Sequence, residues 1–224
     1  MFIQLLGLPG SGKTTVARVL ARDYSERFAS ARFDPLTTKQ LLLCHPAFVA
    51  RSVLRLTPSL GPSLVEPNAM LGWRDRALPV VTLMNLLLAY EQLRRRPHDG
   101  RLVVFDEFVH QRALGIFGFG LEQPAIESVR RFLDALSPYR VPCVLLDVKP
   151  EVAYERASSR AEGVPRRLGR VDATQRLAVL RVQQRVLDHL VSLEPPSLVV
   201  HDAQTPSSAA EQVANHFVDG CSGS

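Results

Sequence analysis

Short apolar runs alternate along this chain with longer stretches of helical periodicity. Residues 2–6 (FIQLL) form the first apolar run and predict a buried strand. Residues 13–24 put Ala17, Leu20, Ala21 and Tyr24 on one helical face and predict a helix. A short strand is predicted over 30–34 (SARFD). Helices follow over 36–56 and 77–96, separated by a Pro- and Gly-containing segment at 57–72. Residues 101–105 (RLVVF) predict the next strand, between Asp99-Gly100 and Asp106. A helix over 122–136 leads to a strand over 142–148 (PCVLLDV). Helices over 150–161 and 172–193, a strand over 197–201 (SLVVH) and a helix over 207–218 complete the pattern.

Strands separated by helices predict a mostly parallel sheet with helices on both faces. The strands are short, rich in Val, Leu and Ile, and lack strict alternation, as expected when both faces are covered. At 224 residues the chain is long enough for one well-buried core, so a single domain over 1–224 is expected. No apolar run approaches the roughly 20 residues of a membrane span. Met1 leads straight into an apolar strand rather than a basic leader and apolar core, so a cytoplasmic protein is expected. Cys44, Cys143 and Cys221 are scattered at spacings that match no metal or redox motif, and read as reduced structural thiols. The net charge is +5 and nearly all of the basic residues are Arg. The clusters Arg94-Arg95-Arg96 and Arg166-Arg167 lack interleaved aromatics or a nucleic-acid motif, so nucleic acid is not a favoured partner. A homodimer is left open.

The chemistry starts at Gly7-Leu8-Pro9-Gly10-Ser11-Gly12-Lys13-Thr14, which matches G-x-x-x-x-G-K-[ST] without departure, between an apolar strand and an amphipathic helix. Glycines let the backbone curl so that its N–H groups face phosphate oxygens, and the following helix adds the positive end of its dipole. Lys13 is placed to reach the β- and γ-phosphates, and Thr14 to offer a hydroxyl to magnesium. The pattern therefore predicts ATP and Mg2+, with Gly7, Pro9, Gly10, Ser11, Gly12, Lys13, Thr14 and Thr15 holding nucleotide. Such a site needs an acidic residue at the end of a neighbouring strand. Asp106 fits as metal-shell and catalytic carboxylate, with Glu107 beside it assisting, facing the acceptor, or only capping the next segment. Asp34 is expected at the end of the second strand, before Pro35. There it either orients or deprotonates an attacking hydroxyl, or merely caps the helix that follows.

With these residues in place the chain resembles a family. Residues 142–160 (PCVLLDVKPEVAYERASSR) resemble the strand–helix–lid passage of the thymidylate kinase and deoxynucleoside kinase branch of small P-loop kinases. LVVHDAQTPSSAAEQV resembles that branch's last strand, adenine-side loop and closing helix. The resemblance implies a P-loop NTPase α/β three-layer sandwich, nucleoside-monophosphate-kinase-like, with a five-stranded mostly parallel sheet. It implies that Arg156 and Arg160, four apart on one helical face, and Arg166 in the loop after them close over the phosphates as a lid spanning 156–170. It also implies that Ala203 and Gln204 lie near adenine. The helical region 35–96, from its size and its place between the second and third strands, is expected to cover the acceptor. The chain departs from the family after the central strand. Thymidylate kinases carry Asp-Arg-Tyr there and deoxynucleoside kinases Glu-Arg-Ser, whereas this chain has Asp106-Glu107-Phe108, with Arg112 further on.

The acceptor side therefore rests on the residues alone. Trp73, Arg74, Asp75 and Arg76 form a polar-aromatic cluster at a predicted helix start, suited to stacking and anion binding or else to a surface cap with Trp73 in the core. His110, Gln111 and Arg112 follow Asp106 and are candidates for the cleft. The stretch Gly115-Ile116-Phe117-Gly118-Phe119-Gly120 reads as either a lid over an apolar pocket or a turn that buries its phenylalanines. The expected activity is transfer of the γ-phosphate of ATP to a small-molecule acceptor. The alternatives are a nucleotide-dependent switch or regulatory ATPase, and a polynucleotide 5′-hydroxyl kinase.

Overall fold

The structure is a computed structural model, and it describes residues 1–31, 38–64, 73–95, 99–118, 126–159, 168–201 and 205–219. Five strands build one sheet: β1 (Phe2–Leu6), β2 (Phe28–Ser30), β3 (Leu102–Phe105), β4 (Cys143–Asp147) and β5 (Leu198–His201). Their order is β2-β3-β1-β4-β5 and every pair is parallel. The strand that precedes the phosphate loop is thus the central one, with Gln4 paired to Phe105 on one side and to Cys143 on the other.

Side chains leave β1 alternately, as the period of two requires. Ile3 and Leu5 join Val16 and Leu20 of α1 (Lys13–Asp23) and Val213 and Phe217 of α9 (Pro206–Asp219). Leu6 joins the opposite core with Phe105, Phe108 and Leu145. That second layer is built from α3 (Pro46–Leu64), α4 (Trp73–Arg94), α5 (Val109–Phe117), α6 (Ile126–Ala135) and α8 (Arg176–Leu193). Each fully buried Leu or Phe of these clusters removes enough apolar surface from water to contribute about 1.5–3 kcal/mol. Residues 83–90 of α4 are buried all round, as in a helix enclosed by its neighbours rather than lying on a surface. The smaller α2 (Thr38–Cys44) precedes α3, and α7 (Pro150–Ser158) follows β4.

Several boundaries differ from the sequence reading. The second strand is Phe28–Ser30 rather than 30–34, with one further ladder bond from Ala31 N–H to Val104 O at 2.9 Å. The helix expected over 36–56 is broken at His45, because Pro46 opens a new helix at its first position, where a missing N–H is harmless. That helix continues through Pro58 to Leu64, so 57–64 is helical rather than a loop. A helix not foreseen, α5, occupies 109–117. Gly115 to Phe117 therefore close a helix rather than a lid or turn, and Phe117 is buried, edge-on against Phe132 at 5.6 Å between ring centres; Phe119 and Gly120 lie outside the described residues. Among the described residues no helix is long and apolar enough to cross a membrane.

Candidate active site

The loop after β1 folds around its own lysine. The Lys13 ammonium, only 7% exposed, donates to the carbonyls of Gly7 at 2.8 Å and Leu8 at 2.9 Å and to Ser11 Oγ at 3.3 Å. Ser11 N–H closes the turn onto Leu8 O at 3.0 Å, and Gly12 ends the loop in the left-handed region at the start of α1. Gly10, at φ +97°, passes so close to α7 that a Cβ there would lie 2.2 Å from the carbonyl oxygen of Ala153. Only glycine fits both the dihedral and the space. This contact holds α7, and with it Arg156, against the loop.

Gly10, Ser11, Gly12 and Thr15 line a cavity of about 250 Å³ together with Arg156, Leu146, Val148 and Val200 and with Thr205, Pro206 and Ala209 at the start of α9. It is a cradle of backbone with apolar strand ends behind it, suited in shape and chemistry to the phosphates and sugar–base portion of a nucleotide. The exposed guanidinium of Arg156 has no ion-pair partner among the described residues. Ala203 and Gln204 lie outside the described residues, but Val200 and Thr205 on either side of them border this cavity. Arg160 and Arg166 also lie outside.

On the other side of the loop, Thr14 Oγ1 donates to Asp106 Oδ2 at 3.1 Å. The two oxygens form a hard donor pair. Magnesium takes one or two protein oxygens and completes its shell with phosphate oxygens and water, so the residues present fit that ion. The pair borders a groove of about 650 Å³, with Arg18 and Arg22 of α1 and Ser30 at the end of β2. Asp34 lies outside the described residues; the described strand ends at Ser30, short of the position where a strand-end carboxylate was expected. The side chains of Trp73, Arg74, Asp75 and Arg76 also lie outside the description; α4 begins at Trp73, ahead of the expected start at 77, so the cluster forms its first turn.

The first turn of α5 supplies what the sequence reading left open. Glu107 pairs with Arg112, whose side chain is 13% exposed. Burial pushes the Arg112 pKa down to about 10, against the charge of Asp106, which holds it up. Gln111 accepts the Gly7 N–H at 3.3 Å. His110 turns away from the cleft, to Gln4 at 2.7 Å and Glu194 at 2.9 Å. Of His110, Gln111 and Arg112, Gln111 touches the loop, Arg112 backs the carboxylates, and His110 belongs to the core.

The order β2-β3-β1-β4-β5 with a closed phosphate loop after β1 decides the fold class, and solved structures agree. The chain matches a thymidylate kinase from Candida albicans at a TM-score of 0.57 and 15% identity, covering 98% of this chain and 91% of that one. It matches a deoxyadenosine kinase from M. mycoides with bound dATP at 0.54 and 14%, covering 96% and 100%. A shikimate kinase from Acinetobacter baumannii gives 0.50 and 17%, covering 98% and 93%. The fold is that of the small P-loop kinases. No protein-family model matches the chain, and no curated protein matches it by sequence. Within the P-loop kinase fold the three neighbours carry different names for their acceptors, so the fold specifies the sheet and the phosphate loop and leaves the acceptor side to each chain.

Proposed function

We propose that this protein is an ATP-dependent phosphotransferase that moves the γ-phosphate to a hydroxyl, or a phosphate, of a small molecule such as a nucleoside, nucleotide or other metabolite. One observation carries the reading: a closed phosphate loop whose Thr14 hydroxyl meets the Asp106 carboxylate at 3.1 Å, with a loop-lined cavity on one side and an open groove on the other. The kinase names of the structural neighbours support it.

In this reading the loop N–H groups of 7–14 bind the phosphate chain and Lys13 neutralises charge on the transferred group. Phosphoryl transfer through a loose transition state needs positioned positive charge more than covalent chemistry. Thr14 and Asp106 hold Mg2+, which would neutralise charge on the β- and γ-phosphate oxygens. Arg156 reaches the same cavity, and Arg160 and Arg166 are assigned with it to a lid over 156–170. Ala203 and Gln204 are assigned to the adenine side. The region 35–96 covers the acceptor, and Asp34 orients its hydroxyl. Glu107 is a weaker candidate for that task, because its carboxylate is already committed to Arg112.

The test is ADP formation from ATP and Mg2+ with and without a panel of nucleosides, nucleotides and hydroxylated metabolites. Acceptor-dependent turnover is expected, and Lys13→Ala should abolish it in a folded protein. Equal turnover without acceptor would make the chain a regulatory ATPase instead.

A further inference from the structure

At Gly7 the central strand leaves the sheet and becomes the phosphate loop. The β1 residues before it are paired, to β3 up to Gln4 and to β4 up to Leu6, which faces Leu145. Gly7 itself sits at φ +154°, and a Cβ there would lie 2.7 Å from both Leu146 O and Ser11 Oγ. Its two backbone groups are both held by side chains. The carbonyl accepts from Lys13 Nζ at 2.8 Å, and the N–H donates to Gln111 Oε1 at 3.3 Å. Gln111 is 7% exposed, on a helix turn otherwise filled by Val109, Ala113 and Leu114. A buried carboxamide is unfavourable unless paired, and here its oxygen is spent on the loop.

The same short segment carries Asp106. From β3 the chain runs through Asp106 and Glu107 into α5, and Gln111 lies on that helix's first turn. One rigid piece therefore touches the loop at both ends, through Asp106 to Thr14 and through Gln111 to Gly7. We infer that Gln111 is a positioning residue: it latches the first glycine of the phosphate loop to α5, and so fixes the loop in the register that brings Thr14 to Asp106 and closes Lys13 over the Gly7 carbonyl. It touches no reacting atom and acts through Gly7. The inference rests on the nucleotide-binding reading above for its functional consequence, and on the geometry alone for the latch.

Gln111→Met keeps the side chain's length and removes its acceptor. The Gly7 amide, followed by 1H–15N NMR, should then shift and lose protection from hydrogen exchange. Affinity for a fluorescent ATP analogue with Mg2+ should fall about tenfold, with KM for ATP rising by a similar factor and KM for the acceptor unchanged. The melting temperature should fall by no more than about 4 °C. Gln183→Met, at a buried glutamine of α8, serves as the control: it should cost comparable stability and leave nucleotide affinity alone. If Gln111→Met does not fold, Gln111→Asn, one methylene too short to reach, carries the same expectation. An unchanged Gly7 amide, or unchanged nucleotide affinity in a variant whose Gly7 amide has shifted, overturns the inference. Failure of the wild-type protein to bind the analogue would instead sink the kinase reading, and the Gly7 amide would still decide whether the latch exists.

Discussion

Thr14 and Asp106 are 92 positions apart and meet at 3.1 Å, and the proposed chemistry turns on which of two adjacent carboxylates faces the phosphate loop. Asp106 touches the Thr14 hydroxyl, whereas Glu107 is turned to Arg112. Asp106→Asn keeps an oxygen for Thr14 and removes the charge. It should weaken Mg2+-dependent ATP use by about tenfold or more, roughly 1.4 kcal/mol, while metal-free nucleotide binding changes much less. Isothermal titration with and without Mg2+ separates the two, and a larger effect from Glu107→Gln would reassign the metal role. Asp106 was legible in the sequence because it follows an apolar strand without interruption, and the phosphate loop because its residues are contiguous. Gln111 was legible only as one of three residues near the cleft. Its contact with Gly7 spans 104 positions and leaves no local pattern to distinguish it from His110 on one side or Arg112 on the other.

At the scale of elements, the loop and α7 are coupled through Gly10. Gly10 and Gly12 have nearly the same dihedral, φ +97° and +94°, yet a Cβ at Gly12 meets nothing within 4 Å while one at Gly10 strikes the Ala153 carbonyl. Gly12→Ala should therefore incur only the left-handed strain, losing about 1–2 kcal/mol of stability. Gly10→Ala adds a backbone clash that must push α7 away, so its melting temperature should lie several degrees below that of Gly12→Ala. Equal melting temperatures would mean that α7 yields freely. The contact itself could not be read from sequence, although the motif demanded glycine at both positions. The same limit explains α5. Its N-cap is Phe108, with no side-chain cap, and its interior contains Gly115, so none of the usual start signals precedes it. Burial of Val109, Ala113, Leu114 and Phe117 in the core makes it a helix. The edge strand β2 was misplaced for a related reason. It is paired only with the four-residue β3, and that register (Phe28 with Leu102, Ser30 with Val104) sets its span more than its own residues do.

Across the whole molecule, the end of the sheet away from the phosphate loop is tied by a polar chain that runs from the core to the surface. Gln4 of the central strand donates to His110 Nδ1 at 2.7 Å and to Val141 O at 3.3 Å. His110 Nε2 faces Glu194 at 2.9 Å, and the other Glu194 oxygen lies 2.7 Å from Arg140. The ring tautomer that satisfies these partners accepts at Nδ1 and donates from Nε2, an assignment made from the hydrogen-bond network. One chain of contacts thus joins β1, α5, the end of α8 and the turn before β4. Burial raises the Glu194 carboxyl, but the hydrogen bond from His110 and the charge of Arg140 outweigh it, and the pKa ends below its ordinary 4.5. The sign follows from linkage. On acidification the unfolded carboxyl is protonated first, near 4.5, while the folded one stays ionised, so stability present above that value is lost as pH falls through the lower folded pKa. Glu194→Gln should therefore destabilise the protein at pH 7 by roughly 1–3 kcal/mol, the range for a hydrogen bond to a charged group. The difference from wild type should shrink as the pH is lowered below 4.5. Urea unfolding of both proteins at pH 7, 5, 4 and 3.5 measures it. A penalty that stays constant down to the lowest pH would show that Glu194 matters for its shape and packing rather than its charge. A penalty that disappears by pH 5 would place the folded pKa above its ordinary value and reverse the balance between burial on one side and the His110 hydrogen bond and Arg140 charge on the other.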